Sequence, residues 1–106
     1  MYVTTTKHIR TNTQAQFYNF KNTALINPTI ADYFHTTYLA TGKILGSTWN
    51  MAPDELSTTS TVMWESKAAH DQFKADETLT TGYFNVRDAH NASLGITIEQ
   101  VSAEEV

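Results

Sequence analysis

The sequence contains no cysteine, few glycines and prolines, and no long apolar run. Without cysteine, thiolate nucleophiles, disulfides, redox-active CxxC pairs and cysteine-ligated zinc are all excluded. The four glycines are isolated from one another, so no glycine-rich loop is available to cradle a phosphate group. No segment approaches the roughly 18 consecutive apolar residues that a membrane span requires.

Positive charge is scarce as well. Seven Lys and Arg residues stand against eleven Asp and Glu residues, which gives a formal net charge of -4. Binding a phosphate backbone requires clustered cations, and here the basic residues are scattered, so we expect no nucleic-acid partner. The N-terminal residues are interrupted by polar side chains and include no continuous apolar signal segment. We therefore expect a cytoplasmic protein with no membrane partner.

Threonine, aromatic and other β-favouring residues are concentrated in four segments that predict strands. The predicted strands span residues 2–11, 43–52, 56–64 and 96–102. The turn at residues 53–55 joins the middle two into an antiparallel hairpin. We expect Leu45 and Trp49 to share one face of the second strand, and Glu104 and Glu105 to form a solvated tail.

Apolar residues at three- and four-residue spacings predict helices between the strands. The first is predicted as one long bent helix over about residues 13–41, which restarts at Asn27-Pro28 and ends at Gly42. The second begins at a Ser66 cap, continues through a further segment with its own apolar stripe, and ends at Gly95.

The resulting order is strand, helix, strand, strand, helix, strand. This is the ferredoxin-like βαββαβ pattern, an α+β fold in which helices cover one face of a four-stranded antiparallel sheet. We expect a single domain over residues 1–106, because a chain of this length supports one hydrophobic core. The uncovered sheet face is neither strongly polar nor charged, and pairing two such faces would bury it. The sequence therefore predicts a symmetric homodimer.

The join between the third strand and the next helix carries a recognisable pattern. Residues 62–67 read Val-Met-Trp-Glu-Ser-Lys, and residues 68–76 continue it. On this motif, and on the order of elements over essentially the whole chain, the protein resembles the dimeric α+β barrel superfamily, in particular the antibiotic-biosynthesis-monooxygenase-like group. The resemblance implies a dimer whose two sheets form a barrel, with a pocket in each subunit between sheet and helices.

The resemblance also identifies positions around that pocket. Haem-degrading members carry an Asn on the first strand, a Trp in the helix after the strand Trp, and an iron-ligating His ten residues later. The matching positions here are Thr6, Phe73 and Tyr83, and all three depart from that pattern. A phenol is a poor iron ligand without special activation, so haem degradation is disfavoured and we expect no cofactor. The resemblance predicts that the ligand-binding residues are Thr6, Trp64, Phe73 and Tyr83.

The histidines are further candidates for chemistry. They form no HxH, HExxH or other close ligand spacing, so we expect no metal site. His90 lies on the apolar stripe of Tyr83, and His70 borders the Phe73 face. Each is either a structural imidazole or a pocket acid or base. We predict a structural role for His8 and a surface position for His35.

Three functions remain open. The first is a homodimer that binds a small, largely apolar molecule, fatty-acid-like or aromatic, between sheet and helices. The alternative is a cofactor-independent monooxygenase of phenolic substrates, with Tyr83, His70 or His90 as candidate catalytic residues that handle protons. The third is a structural or regulatory dimer whose interior is filled by side chains. The sequence does not decide whether the protein is an enzyme.

Overall fold

The computed structural model describes all 106 residues, from Met1 to Val106. The strands are β1 (Tyr2–Ile9), β2 (Ile44–Met51), β3 (Ser57–Trp64) and β4 (Thr97–Glu105). The helices are α1 (Pro28–Phe34), α2 (Lys67–Ala75), α3 (Glu77–Leu79) and α4 (Asn85–Leu94). A π-helical turn at His35–Leu39 extends α1, and a second at Thr80–Phe84 joins α3 to α4.

The four strands form one antiparallel sheet in the order β2-β3-β1-β4. This arrangement confirms the predicted element order and the ferredoxin-like α+β fold. The register of β1 and β3 opposes Tyr2 to Trp64 and Thr6 to Ser60. Because side chains alternate across a strand, these four residues share one face of the sheet.

The helical layer packs on that face through aromatic side chains. The Phe73 ring of α2 lies 5.1 Å from the Trp64 ring, and Tyr38, in the π-helical turn after α1, is completely buried. Each such ring stabilises the fold by about 3–5 kcal/mol relative to alanine. The main buried cluster consists of Tyr2, Tyr18, Ile26, Tyr38, Ile44, Trp64, Leu79, Tyr83 and Phe84.

The long helix predicted over residues 13–41 is wrong in its first half. Residues 10–27 form turns and irregular backbone. The side chains of Asn12 and Asn19 each accept hydrogen bonds from backbone amides two and three residues later, so local turns satisfy donors that a helix would use. The restart at Asn27-Pro28 is confirmed, since Asn27 Oδ1 accepts a 2.9 Å hydrogen bond from the Thr29 amide.

The prediction that Leu45 and Trp49 share one face of β2 is also wrong. The register between β2 and β3 shifts between Ile44 and Gly46, which is a β-bulge and reverses the alternation of side chains on either side of it. Ile44 and Trp49 consequently both lie on the helix-covered face of the sheet. Leu45 sits in the bulge and is 58% exposed.

Two predicted helix boundaries are confirmed, whereas β1 ends at Ile9 and not at residue 11. Ser66 Oγ accepts a 3.1 Å hydrogen bond from the Ala69 amide and caps α2, and Gly95 ends α4 in the left-handed region at φ 69. The predicted tail is wrong, because the backbone of Glu104 and Glu105 pairs with β1. None of the helices combines the length and apolar character that a membrane crossing demands.

Candidate functional site

A cavity of about 380 Å³ lies between the sheet and the helical layer. This volume lies within the range of pockets that hold small molecules. All four strands contribute to its floor, and its walls come from the helices α1, α2 and α4, both π-helical turns and the irregular segment before α1. Hydroxyl-bearing and apolar side chains share the floor, among them Thr6, Thr58, Ser60, Val62 and Trp64.

The cavity follows from the gradation of side-chain size along β3. From the C-terminal end of this strand, the residues that face the helices are Trp64, Val62, Ser60 and Thr58. The aromatic side chains of the helical layer pack against the Trp64 end. The small hydroxyl side chains at the other end do not reach them, so a space remains beneath the helices.

Aromatic rings form one wall. The Phe20 ring is stacked between the Phe34 ring at 3.9 Å and the Tyr83 ring at 4.0 Å. Phe20 comes from the irregular segment at residues 10–27, so the part of the chain that was wrongly predicted as a helix supplies a wall residue. Tyr83 and Phe84 lie in the second π-helical turn, and both are buried and line the cavity.

The structure brings the four predicted ligand-binding residues together. Thr6, Trp64, Phe73 and Tyr83 all line this one cavity. The indole of Trp64 is fixed there, since its Nε1 donates a 3.0 Å hydrogen bond to Oγ1 of buried Thr4. Ligand binding by these residues stays a prediction.

The three candidate catalytic residues occupy different environments. Burial raises the pKa of the Tyr83 phenol, so this group remains protonated at neutral pH and is a hydrogen-bond donor rather than a base. His70 lines the cavity, and its Nδ1 lies 3.1 Å from Asp71 Oδ1. His90 does not line the cavity, because its Nε2 donates a 2.6 Å hydrogen bond to the Gln16 carbonyl in the irregular segment.

His8 is a candidate that sequence reasoning assigned to structure. It lines the cavity, is only 9% exposed, and its Nδ1 has no hydrogen-bond partner. Burial, and to a smaller extent the charge of Arg87, lowers the pKa of His8 to about 4. The imidazole is therefore neutral at physiological pH. The alternation of β1 places His8 on the Thr6 face, but its burial depends on Phe17, whose ring lies edge-on at 6.2 Å.

The charged residues around the cavity are all cationic. Lys21, Lys74 and Arg87 line it, and no Asp or Glu does, although acidic residues outnumber basic ones in the chain. Acidic residues lie near Lys74 and Arg87 in sequence, a pattern that is typical of solvated helix charges. No group of three or more His, Asp and Glu side chains is arranged to hold a metal ion.

Several solved structures share this fold. A dimeric ferredoxin-like protein from an uncultured marine organism matches with a TM-score of 0.63 and 7% identity, covering 100% of this chain and 94% of that chain. A Deinococcus radiodurans protein, provisionally assigned as an antibiotic biosynthesis monooxygenase, matches with a TM-score of 0.54 and 12% identity. The match covers 100% of this chain and 92% of that chain. An Asn-to-Ala variant of SnoaB, a cofactor-independent oxygenase from Streptomyces nogalater, matches with a TM-score of 0.52 and 11% identity. The match covers 99% of this chain and 92% of that chain.

The structural likeness is not accompanied by a sequence match. No protein-family model matches the chain, and no curated protein matches it in sequence. At the identities of the solved structures, the likeness establishes the fold. It confirms the predicted ferredoxin-like fold, which the Deinococcus radiodurans protein and SnoaB share.

Proposed function

We propose that this protein is a homodimer that binds a small, largely apolar molecule, fatty-acid-like or aromatic, between its sheet and helices. The observation that carries the proposal is the 380 Å³ cavity, with stacked rings along one wall and hydroxyl groups on its floor. An apolar ligand that removes this wall from water gains about 25 cal/mol per Å² of buried apolar surface. A dimer with only a structural role does not require such a space.

The polar groups on the cavity floor indicate how a ligand is oriented. His8 lines the cavity as a neutral imidazole, which carries one hydrogen-bond donor and one acceptor. The Thr6 and Ser60 hydroxyls on the same floor offer both donors and acceptors.

The sheet face opposite the helices supports the homodimer. Its central strands carry Thr5 and Thr61, whose Oγ1 atoms lie 3.1 Å apart, with Val3 and Met63 beside them. A half-apolar sheet face of this kind is stabilised by pairing with a second copy, and the marine ferredoxin-like protein of the same fold is dimeric. Sedimentation equilibrium should give twice the 11.9 kDa protomer mass. A stable protomer at micromolar concentration would refute the dimer.

The binding proposal is tested by blocking the cavity. Ser60→Phe places a ring on the cavity floor, whereas Ser93→Phe adds the same ring on the exposed surface of α4. Wild-type protein and Ser93→Phe should show the same rise in melting temperature with medium-chain lipids or bicyclic aromatic compounds, and Ser60→Phe should show none. The proposal fails if no compound stabilises the wild type, or if Ser60→Phe responds as the wild type does.

The alternative function is cofactor-independent oxygenation of a phenolic substrate. His8 favours it, because a neutral imidazole that faces the cavity can accept a phenol proton. The substrate anion then supplies the electrons that reduce O₂, and the protein orients it and excludes water. SnoaB, which shares the fold, is a cofactor-independent oxygenase. Tyr83 and His70 remain candidate proton donors in the same cavity.

The two functions are separated by oxygen uptake. With 1,4-dihydroxynaphthalene as the phenol, an oxygenase should accelerate uptake above the protein-free rate. His8→Asn should abolish the acceleration, and His35→Asn, which changes an exposed histidine, should preserve it. Uptake equal to the protein-free rate would leave binding without oxygenation.

A further inference from the structure

We propose that the ligand is an organic anion, an aliphatic or aromatic acid whose charged group binds at Lys74 and Arg87 while its apolar part lies against the aromatic wall. This inference rests on the proposed function, because it specifies the chemical class of the molecule that the cavity binds. Its basis is the arrangement of charge around the cavity.

Lys74 is a cavity cation that forms no ion pair. It extends from α2 to the cavity and makes no hydrogen bond or ion pair with any residue of the chain. On the same helix, Lys67 faces solvent and binds Asp71 at 2.9 Å. Lys74 is exposed at the edge of the cavity; partial burial, followed by the charge of Arg87, lowers its pKa, and the charge of Asp88 acts in the opposite direction. A bound anion would also raise the pKa.

Arg87 is paired with a single exposed carboxylate. Its side chain is 18% exposed, and Nε and Nη2 donate hydrogen bonds of 3.2 Å and 3.1 Å to Oδ1 of Asp88. The Asp88 carboxylate is 63% exposed and does not line the cavity, so water screens much of its charge. A planar guanidinium at the edge of an apolar cavity is well suited to bind a carboxylate.

The two cations converge on one ring. Nζ of Lys74 lies 5.3 Å from the centroid of the Phe84 ring, and Cζ of Arg87 lies 5.2 Å from it. Attraction to the ring face explains why each cation packs there, but it does not explain why two like charges share a cavity that no carboxylate lines. Their joint field attracts an anion to the place where the apolar wall begins.

The test compares ligands that differ in charge and little in shape. The probes are 2-naphthoate against 2-naphthamide and decanoate against decanol, titrated by isothermal calorimetry near neutral pH. Each acid should bind at least about tenfold more tightly than its neutral counterpart, as expected for charge-assisted hydrogen bonds. The preference should shrink as sodium chloride is raised from about 0.01 M to about 1 M.

Variants locate the preference. Lys74→Met combined with Arg87→Met should bring the acid-to-neutral ratio close to one while the neutral probes still bind. Lys67→Met, on the same helix but outside the cavity, should keep the wild-type ratio. Lys74→Gln alone should reduce the ratio, and its folding is checked by circular dichroism, so the test does not depend on the double variant.

The outcomes distinguish the inference from the function on which it rests. Equal binding of acids and neutral probes, or a preference that survives both substitutions, overturns the anion assignment and leaves the binding cavity in place. If none of the four probes binds to the wild type, the proposed function fails and the anion assignment fails with it.

Discussion

Replacing His8 should change how the stability of the protein depends on pH. Burial, with the charge of Arg87 as the smaller cause, lowers the pKa of His8 from 6.5 to about 4. Between these values the unfolded chain binds a proton that the folded protein does not, so protonation favours unfolding. The stabilisation is present above pH 6.5 and is lost as the pH falls toward 4. A pKa shift of this size corresponds to about 3 kcal/mol in the free energy of unfolding.

Urea denaturation followed by Trp fluorescence measures this effect. Between about pH 7 and about pH 4, the wild type should lose about 3 kcal/mol more stability than His8→Asn. Carboxylates that titrate in the same range are common to both proteins and cancel in the difference. His35→Asn, which removes an exposed imidazole, should behave as the wild type, and a fixed protein concentration keeps any dimer contribution constant. Equal losses in the wild type and His8→Asn would refute the burial argument.

Three further substitutions test the scaffold by the same urea assay. Asp76→Ala should lower the free energy of unfolding by about 2–4 kcal/mol, because Asp76 Oδ2 accepts a 2.6 Å hydrogen bond from the Tyr38 hydroxyl and Oδ1 caps α3. Tyr38→Phe should destabilise the Asp76→Ala variant less than it destabilises the wild type. Gly82→Ala should lower the free energy of unfolding by about 1–3 kcal/mol, since its Cβ would overlap Ile30 Cδ1 and Cγ1. Ile30→Val, which removes Cδ1 alone, should relieve part of the loss, and an unchanged stability of Gly82→Ala would contradict the packing. Arg10→Lys should lower the free energy of unfolding by about 1–3 kcal/mol. The reason is that Nε donates a 2.8 Å hydrogen bond to the Glu55 carbonyl and Nη1 a 2.9 Å hydrogen bond to the Ala15 carbonyl, and one ammonium group cannot replace both. An unchanged urea midpoint would contradict this expectation.

Local sequence signals predicted the parts of the fold that depend on neighbouring residues. The Ser66 cap, the left-handed Gly95 and the restart at Asn27 are confirmed, because a cap or a turn needs only a few adjacent residues. The same chemistry caused the main error. Asn19 lies inside the helix predicted from residue 13 and Asn12 lies just before it, but both side chains form local turns instead of allowing a helix.

The charges and buried groups of the site depend on non-local packing, and the sequence predicted them less well. Alternation placed His8 on the correct sheet face, but only the fold of the irregular segment shows that it is buried. Lys74 and Arg87 have acidic neighbours in sequence, so their position at the cavity cannot be inferred from helical spacing. The bulge beside Ile44 likewise has no local signal beyond Gly46.

The most direct test of ligand binding is native mass spectrometry of protein purified without denaturation. The account predicts a dimer of the 11.9 kDa protomer that carries additional mass, released on mild activation as a small organic acid. The Ser60→Phe dimer should lack this mass, and Ser93→Phe should retain it. A wild-type spectrum that shows only bare protein, even after incubation with decanoate and 2-naphthoate, would contradict the account.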